Sequence, residues 1–169
     1  MANHSKSDLG YAAGIIDGEG CIQIMHSLLR GTVQSWKVYL EINMCSKKVL
    51  DKMAGLFGGE VKMYGARPEQ HYRQYRWQLY GGAAISAIVA MRPYLIEKKA
   101  QAALAIQFYN HQKRCKYYAG HPLSPSILAK REWMRKEMQE LKRRDLVPVA
   151  LAETKCESVG NDEAIVQSN

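Results

Sequence analysis

Long apolar runs are missing from this chain, and so is any regular cysteine pattern. No stretch reaches the roughly eighteen apolar residues of a membrane-spanning helix, and the start, MANHSKSD, has no apolar signal region. Cys21, Cys45, Cys115 and Cys156 are scattered, with no CxxC pair and no histidine at zinc-site spacing, which argues against a disulfide framework or a zinc knuckle. A soluble, intracellular protein without a membrane partner is expected. Acid is also short. The sequence holds 24 Lys and Arg against 16 Asp and Glu. Four of those acids (Glu153, Glu157, Asp162, Glu163) and only one base (Lys155) lie beyond residue 145, so residues 1–145 carry +11. A basic unit of that size points to a polyanion, most commonly nucleic acid.

What is present divides simply. Residues 1–7 are polar and expected to be frayed, 8–145 form one domain, and 146–169 form an acidic tail expected to be disordered. Asp8 is placed to cap a helix from Leu9 to about Ile16, after which Gly18 and Gly20 turn the chain into a strand. In WKVYLEIN, 36–43, Trp36, Val38, Leu40 and Ile42 alternate with Lys37, Tyr39, Glu41 and Asn43, the period of a strand with one packed face. Ser46 precedes a helix over 47–57 whose apolar residues recur at helical spacing until Gly58 and Gly59. A second strand pair is expected over 60–64 and 72–80, then a small-residue helix over 82–91. Pro93 is expected to open a long helix to Asn110, and a charged helix over 127–144 carries Trp133, Met134, Met138 and Leu141 as an apolar stripe.

Four antiparallel strands with helices on one face leave the other face in solvent. It would present Gln23, Met25, Lys37, Tyr39, Glu41, Asn43, Lys62, Tyr64, Gln74, Arg76 and Gln78. Arg, Lys and Gln on such a face can reach base edges in a DNA major groove, although an ordinary solvated sheet face has a similar composition.

The stretch LGYAAGIIDGEG, 9–20, sets Asp17 and Glu19 among glycines. Gly10 and Gly14 lie four apart with Ala13 beside them, a surface on which a second helix can pack closely. Each interior glycine costs about 1 kcal/mol relative to Ala, and packing against a symmetry mate would offset that. Two copies of Glu19 would then meet, and a divalent cation such as Mg²⁺ would neutralise them. Taken alone, the same two acids can simply end a helix in a turn.

This stretch resembles the signature motif of the LAGLIDADG homing endonucleases. LDKM at 50–53, YRWQL at 75–79 and PYLIEKKAQA at 93–102 follow in the family's order, so the likeness runs from residue 8 to about 112. It implies an α+β fold with an αββαββα core, a four-stranded antiparallel saddle-shaped DNA-binding sheet and further C-terminal helices. One motif per chain implies a homodimer on a long, pseudo-palindromic double-stranded DNA target, with Gly10, Ala13, Gly14 and Asp17 at the interface. The implied activity is site-specific double-strand cleavage with Mg²⁺, for which Mn²⁺ can substitute. Glu19 and the Gly18 carbonyl would hold the metal, Asp17 would brace the helix junction, and Lys98, or Lys99 if the register slips by one, would serve the cleaved phosphate. Where single-motif members often carry a solvent-positioning Gln, this chain has Met44, with Asn43 as the alternative catalytic helper and Ser46 behind it. Two other readings use the same fold without DNA cleavage: an intron RNA maturase and a DNA-binding regulator. A non-catalytic scaffold fits the basic charge poorly. The resemblance is compatible with a bacterial or phage-infected cytoplasm, or with a chloroplast or mitochondrion.

Overall fold

The computed structural model describes residues 4–29, 33–64, 73–115 and 123–144. Helix α1 (Lys6–Glu19) runs directly into strand β1 (Gly20–Leu29), which pairs with β2 (Val33–Met44). Helix α2 (Lys47–Phe57) leads to β3 (Val61–Tyr64) and β4 (Gln74–Tyr80), and α3 (Gly81–Met91) follows. A short 3₁₀ turn (Arg92–Tyr94) precedes α4 (Lys99–Arg114), and α5 (Pro125–Arg144) comes last. The strands form one antiparallel sheet in the order β1-β2-β4-β3. This is the α+β, αββαββα arrangement, completed by α3, with two further C-terminal helices, α4 and α5.

Alternation along the strands decides which face is covered. Trp36, Val38, Leu40 and Ile42 all point into the core, joined by Ile22 and Ile24 from β1 and by Trp77 and Leu79 from β4. The helices supply the other half of that core, with Ala12, Ala13 and Ile16 from α1, Leu50 and Met53 from α2, Ile88 and Met91 from α3, and Phe108 from α4. Met134 and Met138 bring α5 against it. The opposite sheet face carries no helix from these elements, because every helical apolar stripe is spent on the first face. No helix among the described residues is long and apolar enough to cross a membrane.

Three boundaries and one buried face differ from those the sequence suggests. Helix α1 starts at Lys6, because Ser5 rather than Asp8 is the N-cap and accepts the Asp8 N–H at 3.0 Å. It also continues through Asp17 and Gly18 to Glu19, and Gly20 enters the strand without a turn, its N–H closing on the Ile16 carbonyl. A side chain at Gly20 would meet the Ile16 backbone at 2.7 Å, so the close helix-to-strand passage requires glycine there. The long helix expected from Pro93 is broken: Leu95 is extended and buried, and α4 begins only at Lys99. Finally, Trp133 is 56% exposed, and Arg131 takes its place on the inner side of α5. At the other stop, Gly58 has φ 75, a left-handed conformation suited to glycine, and its carbonyl accepts the indole N–H of Trp77 at 2.8 Å.

Trp77 thus ties β4 to the end of α2 while lying fully buried. Replacing it with Ala is expected to cost about 3–5 kcal/mol in urea unfolding, and Trp77→Phe, which keeps most of the volume, clearly less.

Candidate active site and nucleic-acid interface

Asp17 and Glu19 sit in the last turn of the same helix but do different things. The Asp17 carboxylate accepts the backbone N–H of Ile96 at 2.8 Å and of Lys98 at 3.0 Å. Those are orphan donors at the entry to α4, so Asp17 caps that helix from another element. In return the Lys98 ammonium donates to the Asp17 carbonyl, one of the last-turn carbonyls of α1 that has no intrahelical donor. The break after the 3₁₀ turn has its cause here, since the carboxylate fixes the helix start at Lys98.

Glu19 is exposed and makes no hydrogen bond or ion pair among the described residues. As the last residue of α1 it lies at the negative end of the helix dipole, and no basic residue stands in that last turn. The negative end of a helix dipole favours cations. The Gly18 carbonyl belongs to the same turn. Carboxylate and carbonyl oxygens are the hard donors that Mg²⁺ takes, so these two residues fit such an ion. Among the described residues no group of three His, Cys, Asp or Glu converges. Gly20, the residue after Glu19, lines a cleft of about 250 Å³ together with Cys21, Glu97, Lys98, Gln101 and Lys142. Lys142 reaches it from α5, its ammonium 3.0 Å from the Cys21 sulfur. Lys99 is exposed.

The open face of α1 is made of the glycines. An added Cβ at Gly14 or Gly18 would meet nothing within 4 Å, whereas one at Gly10 would touch Tyr94 at 3.9 Å. Ala13 lies on the other side, fully buried within this chain.

On the uncovered sheet face the strand register gathers the polar residues. Gln23 stands opposite Tyr39 and Met25 opposite Lys37; Glu41 pairs with Gln78, Asn43 with Arg76, Lys62 with Arg76, and Tyr64 with Gln74. Their states differ. Lys37, Lys62, Met25 and Gln74 are exposed. At the centre, Glu41 accepts from the Tyr39 hydroxyl and from the Asn43 amide at 2.6 Å, and its carboxylate lies 3.2 Å from the Arg76 guanidinium. Arg76 also donates to the Asn43 carbonyl oxygen at 2.8 Å. Tyr39 is only 5% exposed, and burial, with the Glu41 hydrogen bond second, pushes its hydroxyl well above the ordinary tyrosine range. It therefore stays a donor throughout the working pH range. Asn43 points into this cluster, and Met44 packs against the core. Ser46 stands at the start of α2 without a side-chain capping bond.

This arrangement of helices on one face of a β1-β2-β4-β3 sheet is found in solved structures. The homing endonuclease I-CvuI in complex with a DNA target superposes with a TM-score of 0.65 at 20% identity, covering 80% of this chain and 82% of that one. The archaeal intron-encoded homing endonuclease I-Vdi141I complexed with DNA gives 0.65 at 16% identity, covering 82% and 86%. The chain has the LAGLIDADG homing endonuclease fold. Against the LAGLIDADG enzyme I-GzeII in complex with its DNA target, 95% of this chain matches 53% of that one, with a TM-score of 0.61 at 16% identity. No family model matches the chain, and no curated protein does.

In this LAGLIDADG fold, sequence reasoning placed Asp17, Glu19 and Lys98 but missed Gln101, Cys21 and Lys142 in the cleft. Gln101 is three residues after Lys98, a helical spacing that becomes visible only once α4 is known to start there. Lys142 carries no local signal, because only the packing of α5 beside β1 brings it near. Among the histidines, His26 stacks on Trp36 at 4.5 Å and His4 meets Phe57 edge-on at 5.4 Å; His71 and His121 lie outside the described residues.

The Asp17 cap is open to measurement without DNA. Asp17→Ala removes the acceptor of two backbone N–H groups and is expected to lower the urea unfolding free energy by about 2–3 kcal/mol, with Asp17→Asn losing less; a loss under about 0.5 kcal/mol would contradict the capping role.

Proposed function

We propose that this protein is a site-specific double-strand DNA endonuclease that hydrolyses phosphodiester bonds as a homodimer with Mg²⁺. The observation that carries the reading is the unpaired Glu19 carboxylate at the end of α1, one residue before a cleft lined by Gly20 and Lys98, in a chain whose sheet has one face free of helices. Solved neighbours support DNA binding with a divalent ion: I-CvuI is known on DNA with Ca, and with Mg on DNA that is not cleaved.

In this reading two chains meet along the exposed Gly14 and Gly18 side of α1, which brings the two copies of Glu19 together. Gly10 borders that side, while Asp17 works within its own chain. Glu19 and the Gly18 carbonyl would hold the cation, whose chemistry when bound is to neutralise phosphate charge and acidify water. Lys98 is held half-buried by its bond to the Asp17 carbonyl, and its ammonium offers fixed positive charge to a phosphate in the cleft. Outward, Lys37 and Lys62 supply the salt-dependent attraction to the DNA backbone. Gln23, Gln74 and Gln78 can reach base edges, while the Glu41 carboxylate, taken up by Tyr39, Asn43 and Arg76, orders the centre of the face. The long pseudo-palindromic site follows from two such faces related by a two-fold axis. Mn²⁺ is expected to replace Mg²⁺.

The same cluster also makes room for a second reading. Asn43 is committed to Glu41 and Arg76, and Met44 to the core, so neither is free to assist cleavage. A regulator that binds DNA without cutting it, or a maturase that binds intron RNA, needs no such helper.

Cleavage of a plasmid library bearing randomised palindromic inserts, with Mg²⁺ and then with EDTA, separates these readings. Double-strand cuts that need the metal are expected. Glu19→Gln should reduce cutting by at least about a thousandfold while binding in Ca²⁺ changes little. Cutting by Glu19→Gln at the wild-type rate would remove Glu19 from the site, and tight binding to intron RNA with no cutting at all would select the maturase.

A further inference from the structure

One hollow in the uncovered sheet face has apolar walls. It measures about 310 Å³ and is lined by Met25, Ser27, Lys37 and Tyr80. Met25 is 42% exposed and Tyr80 47% exposed. An exposed apolar side chain standing singly needs no explanation, but two that wall one hollow make a place where an apolar group leaves water.

The hollow exists because β4 is shorter than its neighbours. Tyr80, the last residue of β4, stands opposite Tyr39, and past that pair β2 and β1 run on together, with Met25 opposite Lys37. Gly81, at φ 53, adopts a left-handed conformation suited to glycine and opens α3, which takes the chain out of the sheet. The Tyr80 ring stays behind as a fixed wall, tilted on the Tyr39 ring at 4.9 Å, its hydroxyl hydrogen-bonded to the Gln78 amide. Met25 is the adaptable wall, being unbranched and flexible. Lys37 and Ser27 add polar groups to the same hollow, and both are exposed.

We propose that this hollow reads a thymine in the major groove, an assignment that rests on the DNA-binding part of the proposed function. In that groove thymine presents a carbonyl acceptor, O4, beside its C5 methyl group. The hollow offers the complement: apolar walls for the methyl, and donors from Lys37 and Ser27 for O4. The Lys37 ammonium, which attracts the backbone at long range, has only donors to give at contact. Adenine and cytosine each turn an amino donor toward the groove, which an ammonium cannot accept. Guanine offers two acceptors, but it brings no methyl and would set a polar edge unpaired against Tyr80 and Met25. Met25 and Ser27 lie five and seven residues beyond Gly20, on the order of 17–24 Å along β1. The base is therefore read far from Glu19, and its identity acts on binding rather than on the cleavage step.

The test starts by selecting randomised palindromic duplexes for binding in Ca²⁺, where thymine should be enriched at one position in each half-site. Deoxyuridine is then placed at that position, which removes the methyl and leaves O4 and the base pair intact. A methyl-sized contact is worth about fourfold in affinity, so its loss from both half-sites should weaken binding roughly fifteenfold. The double variant Met25→Ala/Tyr80→Ala should bind the thymine and deoxyuridine duplexes within about twofold of each other. Selection without thymine at a fixed position, or equal binding of the two duplexes by the wild type, overturns the assignment and leaves DNA binding standing. So does a deoxyuridine penalty that persists in the double variant, which would place the methyl contact elsewhere on the protein. If no duplex is bound at all, the DNA reading fails and this assignment fails with it. Because the readout is binding in Ca²⁺, the result holds whether or not the protein cuts in Mg²⁺.

Discussion

The organisation of the site depends on one carboxylate. Asp17, near the end of the first helix, caps the fourth helix by accepting two of its entry N–H groups. That bond decides where α4 begins, and with it where Lys98 points. It returns the Lys98 ammonium to the carbonyl end of α1. It also separates two acids that look equivalent in the sequence. Asp17 has its charge spread over backbone donors, and Glu19, two residues on, has none. The result is a rigid helix-to-helix brace two residues before an unsatisfied carboxylate.

The sheet face follows a different logic. Its central arginine does not stand free: Glu41, Asn43 and Arg76 hold one another, with Tyr39 closing the cluster from below. Partly buried pairs of this kind are oriented by their mutual bonds, so the face presents a preset pattern of donors and acceptors at its centre. Lys37 and Lys62 lie outside that cluster and are exposed, Lys62 in an ion pair with Glu60 at 3.1 Å.

Much of this was legible in the residues. The alternation over 36–43 identified the packed face of the sheet because a strand with one covered side leaves no other pattern. The order of motifs placed Glu19 and Lys98 because both lie within short, locally determined segments. What stayed hidden was set by contacts distant in sequence. Pro93 looked like a helix start by local preference, and the Asp17 carboxylate, far away along the chain, moved that start to Lys98. Trp133 looked apolar enough for the core, but Arg131 occupies the inner side of α5, its guanidinium over the Trp36 ring at 5.7 Å and bonded to the Cys115 carbonyl at 2.7 Å. Tyr39 read as an exposed residue of the outer face, yet its own neighbours cover it. Periodicity reports which side a residue is on, and it does not report what its neighbours do there.

The central claim is that one chain holds half of a cleavage site and that a second copy completes it. It rests on the unpaired Glu19 and on the open Gly14 and Gly18 side of α1. Sedimentation velocity of the protein on a selected palindromic duplex in Ca²⁺ tests this directly. The account predicts two chains per duplex at saturation, and a single chain per duplex would contradict it.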